Sequence, residues 1–274
     1  MKIYFEARIA LDSQEENADL LVAKLSAMGF DGFVEENEHL LAYREKINET
    51  MTGLSDLMSS NGITGSEIKE IPDQNWNAVW ESQYEPVLIG DHIMVRAPFH
   101  EHIDGIGYDI VIEPRMSFGT AHHETTAMML SLVYDLDCSG KAVLDMGCGT
   151  AVLAILAHKK GARKVLAVDN DEWAYLNALD NVKINNTREI EVKLDDAASI
   201  AGKNFDIILA NINRNILLGD IPAYANALQQ DGLLLMSGFY EEDLEQIRKK
   251  CLSSGLSYVR HMTMNRWAAA IFNK

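Results

Sequence analysis

A carboxylate and two glycines stand at alternate positions in the segment AVLDMGCGTAVLAI, residues 142–155. Asp145, Gly147 and Gly149 form the pattern D-x-G-x-G between an apolar run and a stretch with helical periodicity. In an open parallel sheet, ligands bind outside the carboxyl ends of the strands, where a glycine turn lets the backbone approach them. The segment predicts a ligand-binding turn, although the glycines could also serve only the geometry of a tight turn.

Two cofactor classes use such a turn. A dinucleotide usually requires a third glycine, in G-x-G-x-x-G, but that position is Val152. S-adenosylmethionine carries a sulfonium and an amino-acid group, and the carboxylate of Asp145 suits its ammonium. The next apolar run ends at Asp169, whose carboxylate could accept both hydroxyls of a ribose in either class. The turn therefore favours S-adenosylmethionine.

Another candidate is Asn211, at the end of the run FDIILANIN. An amide near the opening of the same crevice can accept from and donate to a substrate amine or the cofactor. An asparagine at a strand end is also a common helix cap or turn former, and the sequence leaves both roles open.

Strands and helices alternate from residue 141 onward. Apolar strands end near residues 145, 169, 194, 212 and 237, and helices are predicted from about residues 150, 171, 215 and 241. This order predicts an α/β fold, a doubly wound, Rossmann-like parallel sheet with helices on both faces. The runs SYVRHMTM and RWAAAIF, separated only by a turn at Asn265, predict a closing antiparallel hairpin.

Residues 1–71 predict a smaller α+β unit. A strand, a helix at 15–28, two strands meeting near Asn37, a helix at about 51–58 and a last strand give the order βαββαβ of a ferredoxin-like domain. This unit has six basic and fourteen acidic residues. Such an acidic surface could bind a basic protein, or it could serve solubility alone.

A connection at residues 72–90 follows. Asp73 can cap a helix that carries Trp76, Val79 and Trp80 at spacings of three and four, which is typical of packing. The third predicted segment, residues 91–274, is the catalytic domain. We expect the small unit to hold the substrate while the domain swings on the tryptophan helix.

Composition narrows the functional classes. The net charge is −17, which disfavours direct contact with nucleic acid. Cys138, Cys148 and Cys251 are too few and scattered for a disulfide framework or a zinc site. With no leader-like segment and no apolar run of about 20 residues, we expect a cytoplasmic protein without membrane contact.

The segment EPRMSFGTAHHETTAMML, residues 113–130, resembles the F-G-T-G-x-H-x-T-T signature of the bacterial ribosomal protein L11 methyltransferases, the PrmA family. NWNAVWESQYEPVLIG, DMGCGT and ILANIN are similar to further motifs of that family, so the resemblance covers nearly the whole chain. It implies transfer of methyl groups from S-adenosylmethionine to lysine side-chain and N-terminal amines of ribosomal protein L11. It implies no metal.

The resemblance also assigns site residues. The positions that match the family's motifs, or flank them, are implied to bind the cofactor: Thr125, Thr126, Asp145, Gly147, Gly149, Asp169 and Asn211. Asn211 is also expected to orient the amine, and His123 could relay a proton, although a structural role in its loop is the stronger expectation. Ala121 and Ala151 replace glycines. A methyl group is tolerable at these positions if φ is below zero, so we expect altered loop geometry but retained binding.

Other functions remain as alternatives. A small-molecule or glutamine methyltransferase would keep the cofactor turn, but ANINR lacks the N-P-P-Y run typical of enzymes that methylate planar amides or adenine. A nicotinamide oxidoreductase is disfavoured by Val152. A non-enzymatic S-adenosylmethionine-binding module would bind the cofactor and turn nothing over.

Overall fold

The computed structural model describes residues 3–11, 18–36, 39–47, 50–72, 84–115 and 119–274. The chain divides into two compact units, Met1–Tyr84 and Glu85–Lys274. Most of the expected connection at 72–90, including its tryptophan helix, lies outside the described residues. Its last part, Val87–Ile89, is a strand of the second unit.

The first unit is an antiparallel sheet with two helices. Its elements are β1 Ile3–Ala10, α1 Ala18–Ala27, β2 Gly32–Glu36, β3 His39–Glu45, α2 Met51–Ser60 and β4 Glu67–Pro72. The sheet order is β2-β3-β1-β4. This is the ferredoxin-like order that the βαββαβ pattern predicts. The two strands joined by each helix are not neighbours, because a strand of the other half of the unit lies between them.

Apolar residues at helical spacing hold these helices on the sheet. Leu21 and Leu25 of α1 and Leu54 and Met58 of α2 are four residues apart and buried with Phe5 of β1. Residues i and i+4 share one face of a helix, so each helix presents a single apolar stripe to the strands.

The second unit contains a seven-stranded sheet. Its strands are β8 Ala142–Met146, β9 Lys164–Asp169, β10 Glu191–Leu194, β11 Phe205–Asn211, β12 Leu228–Tyr240, β13 Ser257–Met264 and β14 Trp267–Asn273. The order is β10-β9-β8-β11-β12-β14-β13, and β14 is antiparallel to both of its neighbours. The predicted parallel sheet and closing hairpin are confirmed. Strand order reverses beside β8, which creates a crevice at the carboxyl ends of β8 and β11.

Helices cover both faces of this sheet. They are α3 Glu124–Asp135, α4 Val152–Lys159, α5 Glu172–Ile184, α6 Arg214–Ala227 and α7 Leu244–Ser253. Val143 packs with α3, α4 and α5, whereas its neighbour Leu144 packs with α6 and α7. Successive side chains of a strand point to opposite faces, so a strand buried on both sides must be continuously apolar.

A three-stranded sheet precedes the main one and was not anticipated from the sequence. It consists of β5 Val87–Ile89, β6 Ile93–Arg96 and β7 Tyr108–Val111, in the order β5-β6-β7. β7 leads through residues 112–121 into α3. Among the described residues, no helix is long and apolar enough to span a membrane.

Candidate active site

A cavity of about 870 Å³ lies at the carboxyl ends of the central strands, where the strand order reverses. This volume lies within the usual range for small-molecule and cofactor sites. Its lining contains these predicted site residues: His123, Thr125, Gly147, Gly149, Asp169 and Asn211.

The turn after β8 is fixed by its backbone. The N–H groups of Gly147 and Cys148 both donate to the carbonyl of Val168, at 2.8 and 3.0 Å. Gly147 has a φ of 69°, and a Cβ at this position would overlap Cγ2 of Ile212. Glycine is therefore required by the conformation and by the close approach of the loop after β11.

Asp169 ties the turn to the next helix. One carboxylate oxygen accepts from the N–H of Gly149 at 2.8 Å, and the other accepts from the N–H of Asp171 at 3.0 Å. Asp171 in turn caps α5 by accepting from the N–H of Ala174. Because each oxygen of a carboxylate has two lone pairs, Asp169 retains acceptor capacity at the cavity wall.

Asp145 lies behind the turn, with only 1% of its surface exposed, and does not line the cavity. Oδ2 accepts from the N–H of Ala154 at 3.1 Å, and Oδ1 has no hydrogen-bond partner among the residues that the structure describes. Burial, with a smaller contribution from the charge of Asp169, raises the pKa of Asp145 to about 7, against the effect of the Ala154 hydrogen bond.

The side-chain amide of Asn211 uses its nitrogen but not its oxygen in hydrogen bonds to the described residues. Its Nδ2 donates to Oγ1 of Thr126 at 3.2 Å, and Thr126 itself is 1% exposed. Its Oδ1 is buried and, within the described part of the chain, accepts no hydrogen bond. The helix-capping role that the sequence left open belongs instead to Asn213, which accepts from the N–H of Ile216.

His123 is the N-cap of α3. Its Nδ1 accepts from the N–H of Thr125 at 3.3 Å and lies 2.9 Å from Oγ1 of that residue. The ring packs edge-on against Trp267, with centroids 4.8 Å apart. Since Nδ1 is an acceptor here, we assign the proton of the neutral ring to Nε2.

The expectation for the two alanines that replace glycines is wrong. Ala121 and Ala151 have φ values of 68° and 62°, so both adopt the left-handed conformation. The surrounding contacts impose it: the N–H of Ala151 donates to the carbonyl of Cys148 at 2.8 Å, and both alanines are buried. The loops keep the conformation that glycine favours, at a cost of about 1–2 kcal/mol per residue.

Several residues of the cavity wall were missed by the sequence reasoning. Ile212 directly follows β11, Gly238 and Trp267 lie in β12 and β14, and the three meet only in the folded sheet. Arg115 lies within the quoted signature segment, and Trp173 lies four residues after Asp169, so their sequence positions were the available signals.

The fold and the site together define the class of protein. A parallel sheet closed by an antiparallel hairpin, with a glycine turn after β8 and an acidic residue at the end of β9, is the arrangement of an S-adenosylmethionine-dependent methyltransferase. A methyltransferase from Pyrococcus furiosus has the same fold, with a TM-score of 0.51 and 16% identity over 60% of this chain and 88% of that one.

The family follows from sequence comparison. The family model for ribosomal protein L11 methyltransferase (PrmA) matches residues 7–274, and the chain belongs to this family. It is 40% identical over 260 residues to the ribosomal protein L11 methyltransferase of Bacteroides fragilis, covering 93% of each chain. The corresponding protein of Porphyromonas gingivalis is 42% identical over 93% of this chain and 90% of its own.

A solved structure supports the same relationship. The ribosomal protein L11 methylase of Lactobacillus delbrueckii subsp. bulgaricus is 26% identical, with a TM-score of 0.66 over 70% of this chain and 99% of that one. The predictions of the family, of a methyltransferase and of S-adenosylmethionine as cofactor are confirmed.

Proposed function

We propose that this enzyme transfers methyl groups from S-adenosylmethionine to lysine side-chain and N-terminal amines of ribosomal protein L11. The family match and the names of the relatives support the substrate. The observation that carries the amine specificity is the buried, unpartnered Oδ1 of Asn211 at the cavity wall. A cytoplasmic location is part of this proposal, since the substrate is a ribosomal protein.

The residues around the cavity suit the cofactor. Asp169 can accept hydroxyl hydrogens, and the turn at Gly147 and Gly149 lets the backbone approach the ligand closely. In its ionised form, Asp145 would place a negative charge behind the turn in a dry environment, and this form favours a cationic ligand. Bound S-adenosylmethionine supplies an electrophilic methyl carbon on a sulfonium.

The chain must then present an unprotonated amine to that carbon. A free lysine has a pKa of about 10.4, so at neutral pH it is almost fully protonated. An apolar wall such as Trp267 and Ile212 disfavours the ammonium form. Oδ1 of Asn211 can accept one N–H of the neutral amine, and Thr126 prevents the amide from rotating. The lone pair of the amine is thereby directed away from Asn211.

His123 acts in this proposal as a positioning residue. Its Nδ1 caps α3 and its ring supports Trp267, so it holds two parts of the wall together. This is the structural role that the sequence favoured over proton transfer.

The amine-orienting role of Asn211 is tested by its replacement with alanine. We expect Asn211→Ala to lower kcat at least 100-fold, the order found when one polar group that acts on the reacting centre is removed. The Kd for S-adenosylhomocysteine should change less than 10-fold. The exposed Asn215 of α6 is the control, and Asn215→Ala should retain kcat. An Asn211→Ala enzyme with normal kcat on ribosomal protein L11 would refute the role.

The substrate is tested with methyl-labelled S-adenosylmethionine and unmodified ribosomal proteins. Label on one small basic protein, located at lysines or its N-terminus by mass spectrometry, would support the proposal. Cofactor binding without labelling of any ribosomal protein would favour a small-molecule methyltransferase or a non-enzymatic binding module.

We also propose that the acidic first unit recruits this substrate. Asp56 and Glu67 are exposed there, and a basic partner would be attracted to them. The double variant Asp56→Lys/Glu67→Lys should raise KM for the protein substrate, with a smaller effect at high salt, and leave the Kd for S-adenosylhomocysteine unchanged. Removal of residues 1–71 should abolish methylation of the protein. An unchanged KM in the charge variant would contradict this recruitment.

A further inference from the structure

Three asparagines follow each other at intervals of four residues along α5 and its C-terminal cap. Asn177 and Asn181 are fully buried, and Asn185 is 7% exposed. Residues four apart share one face of a helix, so the three amides form a single polar row. A buried amide is unfavourable unless its donors and acceptor are satisfied.

This row pairs with the free edge of β7 and with the backbone that directly follows it. Asn185 accepts from the N–H of Val111 at 2.9 Å and donates to its carbonyl at 2.6 Å. Asn181 accepts from the N–H of Glu113 at 2.8 Å, and Asn177 donates to the carbonyl of Glu113 at 3.2 Å. β7 pairs with β6 on its other side, so the side-chain amides take the place of a neighbouring strand.

Asn181 differs from Asn185 in its remaining contact. Its Nδ2 donates at 3.0 Å to the carbonyl of Thr150, which lies within the cofactor turn directly after Gly149. Thr150 is fully buried, and its hydroxyl donates at 2.7 Å to the carbonyl of Gly119. The turn is thus connected to Glu113 through Asn181 and to Gly119 through the hydroxyl of Thr150, and Glu113 lies two residues before Arg115 of the cavity wall.

We propose that Asn181 is a positioning residue that fixes the cofactor turn against residues 111–115 and thereby sets the affinity for the adenosyl cofactor. Asn181 does not line the cavity, so it acts through Thr150. A glycine-rich turn loses more conformational freedom on ordering than other sequences do. A turn that is already ordered in the free protein avoids that loss when the ligand binds.

The inference rests on S-adenosylmethionine as the ligand of the cavity. It is tested by calorimetric binding of S-adenosylhomocysteine to the full chain. Asn181→Ala should raise the Kd about 10-fold, which corresponds to about 1.4 kcal/mol. Asn185→Ala removes two hydrogen bonds to Val111 of β7 but none to the turn, and its Kd should remain within about twofold of the wild type.

Hydrogen exchange distinguishes a local loosening of the turn from a general loss of stability. Both variants should lower the urea midpoint, but only Asn181→Ala should accelerate exchange selectively in residues 147–151. Equal increases in Kd for the two variants, or an unchanged Kd for Asn181→Ala, would overturn the proposal. A wild-type protein that does not bind S-adenosylhomocysteine would refute the cofactor assignment instead.

Thr150 tests the second connection of the same turn, and a variant of this residue can be measured even if Asn181→Ala does not fold. Thr150→Val removes the hydroxyl that donates to Gly119 and keeps the shape of the side chain. Thr150→Val should raise the Kd for S-adenosylhomocysteine severalfold. Thr150→Ser, which keeps the hydroxyl, should have a Kd close to that of the wild type. An unchanged Kd for Thr150→Val would contradict the view that holding this turn in place sets the affinity for the cofactor.

Discussion

Asp145 gives this protein a pH dependence that one substitution should remove. Burial raises its pKa to about 7 in the folded chain, whereas the reference value for an unfolded chain is 3.8. The native state therefore binds one more proton than the unfolded state between about pH 4 and pH 7. Stability falls as pH rises through this window, because the unfolded state can ionise and the buried carboxyl cannot do so without cost.

The magnitude follows from the shift of about three pKa units. At about 1.36 kcal/mol per unit, ionisation of Asp145 removes about 4 kcal/mol of folding free energy between pH 4 and pH 7. Asp145→Asn keeps an acceptor for the N–H of Ala154 and has no charge to bury. The variant should lie within about 1 kcal/mol of the wild type at pH 4 and be more stable by about 3–4 kcal/mol at pH 8.

Urea unfolding of the second unit, followed by pulsed hydrogen exchange in peptides of β8 and β11, measures this difference without interference from the first unit. The decisive quantity is the difference in the free energy of unfolding between the wild type and the variant at each pH. A difference that is constant from pH 4 to pH 8 would refute the reasoning, as would a wild type that gains stability over the variant as pH rises.

Three further outcomes are expected. Gly147→Ala should raise the Kd for S-adenosylhomocysteine more than 10-fold in a calorimetric titration, because the added Cβ overlaps Ile212 and φ is positive; an unchanged Kd would contradict this. Ala151→Gly should change the free energy of unfolding by less than about 1 kcal/mol. Glycine relieves about 1–2 kcal/mol of backbone strain at a φ of 62°, and this gain offsets the loss of the buried methyl group and the greater entropy of the unfolded chain. Ala157→Gly, the control at a buried helical position, should lower the free energy of unfolding by roughly 2 kcal/mol in the same urea assay. Equal losses for the two variants would show that Ala151 is not strained. Lys274→Met should cost about 1–2 kcal/mol of unfolding free energy, because the Lys274 amine donates to two carbonyl groups at the end of α6, each at 2.7 Å; unchanged unfolding would show these bonds to be unimportant.

Local patterns were enough to predict most of the second unit. Val143 and Leu144 illustrate why, since a strand buried on both faces is a nearly continuous apolar run, interrupted in β8 only by Asp145, and that run is visible in the sequence. The strands β5–β7 are only three or four residues long, too short for their apolar residues to distinguish a strand from a loop. Their pairing depends on β6 lying between β5 and β7 and on amides contributed by α5, about 70 residues further along the chain.

The site divides in the same way. Asp145, Gly147 and Asp169 were found because each stands at the end of an apolar run, and parallel strands bring their carboxyl ends to one edge. Which of them faces the ligand was not determined by spacing. Asp169 lines the cavity, whereas Asp145 is buried behind the turn, because α4 starts directly over it and supplies the N–H of Ala154.

The sequence by itself determined the order of strands and helices in the first unit and in the seven-stranded sheet, the cofactor turn and the family, because all three are written in consecutive residues. Only the tertiary structure decided that Asn211 donates to Thr126 while its Oδ1 has no partner among the described residues, and that Ala121 and Ala151 take a left-handed conformation. These features depend on contacts between residues distant in the chain. Such contacts can override the backbone preference of an individual residue, since the energies of neighbouring hydrogen bonds and packing exceed about 1 kcal/mol of local strain.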